Sequence, residues 1–146
     1  MAHCTRPLLV ALLALVVSAC GDDPAPSPEP IAIAGDWIDQ WDGPHTVTSE
    51  TWDMGYALFD IVTYDNDAEF AIAQNDAGNE FSPGLWSRFD WTTDGDGQLW
   101  FCQTVFDAAS REAAQETAPA DPTDPATTGC AGFSWTSLDE AEPAAK

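Results

Sequence analysis

Trp86-Ser87-Arg88-Phe89-Asp90-Trp91 and Leu99-Trp100-Phe101-Cys102-Gln103-Thr104-Val105-Phe106 flank Asp94-Gly95-Asp96-Gly97. Aromatic and β-branched residues run up to an Asp-Gly turn and come back from it. This is a strong hairpin signal, because glycine supplies the positive φ that a tight turn between twisted strands requires. Side chains alternate along a strand, so Trp86, Arg88 and Asp90 share one face. Working outward, Leu58 to Tyr64 and Glu69 to Gln74 read as a second hairpin around Asp65-Asn66-Asp67. In its return arm Phe70 and Ile72 share a face, and Ala71 and Ala73 take the other. Asn75 to Gly84 is rich in Asn, Asp, Gly and Pro and reads as a loop.

Upstream, Trp37-Ile38-Asp39-Gln40-Trp41 alternates as a short strand and Asp42-Gly43-Pro44 turns. His45 to Ser49 and Thr51-Trp52 are rich in strand formers. Downstream, Asp107 is expected to cap a short helix from Ala108 to about Glu116, which Pro119, Pro122 and Pro125 bar from continuing. Phe133 to Leu138 is expected as a last short strand or an apolar flap, and residues 139–146 as a flexible tail. Short strands with turns every eight to twelve residues predict a mainly β fold. The expected form is a small antiparallel β-barrel or rolled sheet over residues 31–138, with one short helix after the main hairpin.

The chain has 146 residues and a formal charge of −21. Charge this negative excludes nucleic acid, whose phosphates need a basic footprint, and excludes electrostatic docking on anionic lipid. Such acidity often means disorder, but seven Trp, seven Phe and two Tyr argue for a folded centre. A heavily acidic, lysine-poor surface also suits salty water, where screening blunts self-repulsion.

The N-terminus carries a different message. Met1 to Arg6 supplies one positive charge, and Leu8 to Val17 is uninterrupted apolar sequence, too short for a permanent span but suited to a signal peptide. Leu15-Val16-Val17-Ser18-Ala19-Cys20 reads as a lipobox. Residues 1–19 are then a lipoprotein signal peptide, and Cys20 is the lipidated first residue of the mature chain. Only Arg88, Arg111 and Lys146 remain to balance 25 acidic residues. Residues 20–30 form a tether whose alternating prolines favour an extended, polyproline-like spacer. Partners implied are the membrane, through the N-terminal lipid, and the lipoprotein processing and sorting machinery. The residue after Cys20 is Gly21 rather than Asp, and resemblance to lipoprotein sorting signals places the protein in the bacterial envelope, at the outer membrane rather than the inner.

Cys4 leaves with the leader and Cys20 takes lipid, so Cys102 and Cys130 remain. In an oxidising compartment they are expected to form a disulfide. It would close a loop of roughly 28 residues, a constraint of about 3.5 kcal/mol on chain-entropy grounds. A metal site is the alternative, but His45 is the one mature histidine to join them. Asp94-Gly95-Asp96-Gly97 resembles the start of a calcium loop but has Leu99 at loop position six and Val105 at position twelve, so a solvated turn is the better reading. No cofactor and no metal is expected. Nucleophile elbows, zinc-binding helices and phosphate loops are missing from the sequence, and 25 acids nominate no catalytic pair. The expectation is a non-enzymatic protein without catalytic residues. Arg88 stands alone as a base among the strands. Buried, it needs an aromatic face or a carboxylate: stacking on a tryptophan, with Trp37 the foremost candidate, or pairing with Asp90. On the rim it needs neither.

Gly35-Asp36-Trp37 is similar to the G-x-W signature at the first strand of lipocalin- and avidin-like barrels. That resemblance implies a tryptophan packed against an arginine at a closed barrel end, here Trp37 and Arg88, although Arg88 is not in the last strand. Longer segments resemble a group of small bacterial lipoproteins with no assigned activity: Ala34 to Trp37, Tyr64-Asp65-Asn66, Ala71 to Asp76, Trp86 to Trp91, Phe101 to Thr104 and Asp124 to Cys130. The group implies export, lipidation and one domain. Two roles follow for that domain. One is a structural or interaction module facing an envelope partner. The other is a small-ligand-binding, calycin-like barrel with Trp37, Trp86, Arg88 and Trp100 as pocket or core candidates.

Overall fold

A computed structural model describes residues 29–142. Eight strands close into one antiparallel barrel in which each strand pairs with its neighbours in sequence. They are β1 (Gly35–Asp39), β2 (Pro44–Val47), β3 (Thr51–Asp53), β4 (Leu58–Asp65), β5 (Phe70–Asn75), β6 (Trp86–Thr93), β7 (Leu99–Ala108) and β8 (Thr136–Glu140). Pairing of Trp37 with Glu140 and of Asp39 with Leu138 joins the last strand to the first and leaves no open edge. The expected barrel is present, and both hairpins read from the sequence form it.

Alternation along the strands sorts the side chains. Val47, Trp52, Phe59, Ile61, Ala71, Ala73, Phe89, Trp91, Leu99, Phe101 and Leu138 form the interior core. The rings interlock: Trp52 stacks on Phe89 at 4.6 Å and tilts against Phe101 at 5.1 Å, while Phe59 meets Phe89 edge-on at 5.0 Å. Ala71 and Ala73 leave the room these rings need. The inside of this barrel is filled.

A second layer lies outside. After β7 the chain makes a long excursion over the outer face of β5, β6 and β7 before returning as β8. Ile72, Arg88, Asp90 and Cys102 point outward yet are buried beneath it, with Ala114 and Trp135. This is why β6 is buried along almost its whole length. The Cys102–Cys130 disulfide is formed and pins the excursion to β7. Within it Gly129 has φ +101°, and a Cβ there would sit 2.0 Å from the Asp121 carbonyl oxygen, so glycine is required. The Trp135 indole N–H donates to that same carbonyl.

Two boundaries differ from the sequence reading. The helix, α1, covers Arg111–Glu116 and is capped by Ser110, not Asp107. Bulged pairing with β6 carries β7 through Ala108, and Ser110 Oγ accepts from the Ala113 N–H. The C-terminal tail begins later than residue 139, because Asp139 and Glu140 pair with β1 and Ala141 N–H donates to Asp36. The face bearing Trp86, Arg88 and Asp90, whose direction the sequence leaves open, looks away from the barrel core. The leader, Cys20 and the tether up to residue 28 lie outside the described residues, as do residues 143–146.

The two barrel ends are unlike. The N-terminal segment closes one of them. Ile31 and Ile33 are buried there, and Trp37 donates its indole N–H to Ile33 O at 3.0 Å. Ile31 N–H donates to Ser49, Ala32 N–H to Asn66, and Asn66 back to Pro30 O, so the β2–β3 and β4–β5 turns of that end grip the incoming chain. The opposite end carries the turns β1–β2, β3–β4 and β5–β6.

Candidate functional site

That opposite end holds a cup of about 360 Å³. Tyr56, Phe81 and Phe106 line it from the β3–β4 turn, the β5–β6 loop and the end of β7. All three are largely exposed, as is Trp41 in the β1–β2 turn at the same end. Phe59 forms part of the lining and belongs at the same time to the filled core, so the cup ends where the core begins. Single exposed aromatics are common, but four turns or strand ends presenting one each at the same end are a pattern.

The scaffold beneath is a polar network. Asn75 is buried, and its Nδ2 donates to Ser82 O and to Phe106 O, both at 2.8 Å. Its Oδ1 accepts from Ser87 Oγ at 2.6 Å, and Ser87 Oγ accepts from Gln103 Nε2. One side chain thus ties the Phe81–Ser82 segment to the strand that carries Phe106. Asn79 acts similarly: its Oδ1 accepts from Leu58 N–H and its Nδ2 donates to Leu58 O, which holds the long loop to the start of β4. Ser82 is held at φ +49°, a left-handed conformation that non-glycine residues seldom adopt. The cup is a fixed shape rather than a floppy loop.

Asp39, His45 and Trp52 connect the core to this end. The Trp52 indole N–H donates to His45 Nδ1 at 3.1 Å, which leaves Nε2 as the protonated nitrogen, 3.2 Å from Asp39 Oδ2. His45 is buried and both its ring nitrogens are engaged. Burial raises the Asp39 pKa, but Gly43 N–H, the His45 ring and Trp41 N–H outweigh it and hold the carboxyl below its ordinary 3.8. Trp100 and then Gln98 lower Asp94, and Thr123 lowers Asp121. A carboxylate lowered on folding stabilises the fold above its unfolded pKa, and that contribution is lost as pH falls through the folded value. Thermal unfolding followed against pH is therefore expected to hold from pH 7 to about 4.5 and to drop below about 3.5. A midpoint still rising at the acid end would contradict these hydrogen-bond assignments.

The pocket residues expected from sequence do not converge. Trp37 sits at the closed end, in a wider hollow of about 450 Å³ that it shares with the turn residues Asp96 and Gly97 and with Asp139 and Glu140. Trp100 is half-buried and donates its indole N–H to Asp94 at 2.9 Å, bracing the β6–β7 turn. Trp86 is half-buried on the outer face. Arg88 is buried, but its partner is not Trp37. Its Nε and Nη2 grip Asp90 at 2.8–3.1 Å, its Nη1 donates to Gln115 O at 3.3 Å, and its guanidinium lies 4.3 Å from the Phe70 ring centroid. Asp90 also accepts from Thr104 and from Ala120 N–H. Of the alternatives, carboxylate pairing holds and tryptophan stacking is replaced by phenylalanine. This cluster locks the outer excursion onto the barrel and is closed to ligands. Tyr56, Phe81 and Phe106 were not singled out from sequence. Tyr56 and Phe81 carry one signal, an aromatic set beside glycine or proline in a polar turn, as in Gly55-Tyr56 and Phe81-Ser82-Pro83-Gly84, and Phe106 carries none.

Among the described residues no group of three or more His, Cys, Asp or Glu side chains is placed to hold a metal ion. No protein-family model, no curated protein and no solved structure matches the chain.

Proposed function

We propose that the protein is a lipid-anchored bacterial envelope protein, attached through Cys20, whose barrel is a non-enzymatic binding module presenting its aromatic cup away from the membrane. The observation that carries this reading is the opposition of the two ends. The chain arriving from the lipobox and proline-rich tether enters at the end closed by Ile31 and Ile33, and the exposed aromatics gather at the other. A tethered domain of this build holds its cup toward whatever lies beyond the bilayer. The filled interior favours recognition at the mouth over a ligand carried inside, which narrows the calycin-like alternative. The engaged nitrogens of His45 leave that residue no free base to offer a substrate, in keeping with binding rather than catalysis.

Changing Cys20 to Ala is expected to abolish incorporation of a labelled fatty acid and to release the protein from the membrane fraction. The domain, which begins at Ile31, is expected to keep its unfolding midpoint. A Cys20→Ala protein that still carries lipid would overturn the anchoring half of the proposal. The binding half stands on the cup alone.

A further inference from the structure

We propose that the cup binds an organic cation, an alkylated ammonium group, between the rings of Tyr56, Phe81 and Phe106 and beside the carboxylate of Glu80. The assignment rests on the cup being a binding site and names its ligand class. Four aromatic rings line it, those of Tyr56, Phe81 and Phe106 at its mouth and Phe59 at its floor, with one carboxylate and no basic side chain. An aromatic face carries a negative quadrupole and attracts a cation, most strongly where water is displaced, and several faces around one volume make the cage that quaternary ammonium groups fit. The volume of about 360 Å³ is at the small end of ligand sites and suits such a headgroup.

The surroundings push the same way. The chain bears −21 overall, so its field repels anions and concentrates cations at any concave site. Asp39 adds to that field locally. Partial desolvation, and after it the Asp39 charge, raise the Tyr56 hydroxyl above its ordinary 10.0, so the phenol stays neutral at any working pH. The amides of the cup are largely engaged by the scaffold, with both Asn75 Nδ2 bonds going to backbone carbonyls, Asn79 bonded to Leu58 and Gln103 Nε2 donating to Ser87 Oγ. A neutral polyol such as a sugar would find few free amide donors and acceptors, whereas a cation needs only the rings and Glu80.

Calorimetric titration of the full chain with choline and with 3,3-dimethylbutan-1-ol, its neutral carbon isostere, tests the assignment. Choline is expected to bind about tenfold or more tightly than the isostere, and more weakly as salt rises. Phe81→Ala and Tyr56→Ala are each expected to weaken choline binding about tenfold, and Glu80→Gln about threefold. All three residues are exposed, so unchanged thermal unfolding serves as the folding control. Vesicles of phosphatidylcholine set against free choline separate a lipid headgroup from a soluble ligand; binding of either with loss in Phe81→Ala supports the proposal. Equal binding of choline and the isostere, both lost in Phe81→Ala, would overturn the cation assignment and leave the cup a binding site. Tighter binding of N-acetyl-lysine methylamide than of choline would overturn the alkylated-ammonium assignment in favour of a partner protein's side chain. No binding of any of these probes would overturn the assignment and remove its support from the cup.

Discussion

Replacing Trp52 by alanine is expected to destabilise the barrel by about 3–5 kcal/mol, a large share of a typical total of about 5–15 kcal/mol. Trp52 is fully buried and sits where the rings of Phe89 and Phe101 meet. Its removal opens a cavity walled by stiff aromatics that cannot collapse into it. It also strips His45 Nδ1 of its donor inside the protein, leaving a buried acceptor unpaired. Trp52→Phe separates these two effects. Phenylalanine keeps most of the stacking on Phe89 but cannot donate to His45, so about 1–3 kcal/mol is expected for that variant. Urea unfolding monitored by circular dichroism measures both. Equal losses in the two variants would mean that the hydrogen bond to His45, and not the packing, dominates.

Arg88→Met should cost about 3–5 kcal/mol, because it leaves Asp90 buried without its counter-charge. The methionine can still fill the space over Phe70, so the loss is electrostatic rather than a cavity. Adding Asp90→Asn is expected to recover part of that loss. Asparagine keeps an acceptor for Thr104 and for Ala120 N–H and carries no charge. The double variant is thus predicted to be more stable than Arg88→Met alone, and less stable than the wild type because Arg88 Nη1 also donates to Gln115 O and so fastens α1. Denaturant unfolding of the three proteins makes the comparison. A double variant no better than the single one would show that the unpaired Asp90 charge is not what makes Arg88→Met costly.

Most of the fold was legible in the sequence because its signals are local. Asp-Gly between aromatic runs specifies the β6–β7 hairpin, and alternation from Leu58 to Gln74 specifies β4 and β5. The pairing of Cys102 with Cys130 followed from elimination among four cysteines. What escaped depends on the third dimension. Strand β6 has two buried faces, and alternation alone does not say that a later excursion will cover the outer one, so the sequence left open whether Arg88 is buried against Asp90 or lies on the rim. The helix start moved from Ala108 to Arg111 because bulged pairing with β6 outcompetes helix at Ala108, and Ser110 caps as well as Asp107 would. The site was less legible still. Large residues such as Trp37, Trp86 and Trp100 draw attention in a sequence, yet each is held by the scaffold. Tyr56, Phe81 and Phe106 come from segments far apart in the chain, and only barrel closure brings them to one mouth.

The central claim is that recognition takes place at that mouth, outside a filled barrel. Amide chemical-shift mapping during titration with choline, its neutral isostere and a neutral sugar tests it most directly. Perturbations confined to Met54–Ala57, Asn75–Leu85 and Gln103–Phe106 are the predicted result. Perturbations centred on Trp52 and Phe89 in the interior, or on Ile33, Trp37 and Asp96 at the closed end, would contradict it.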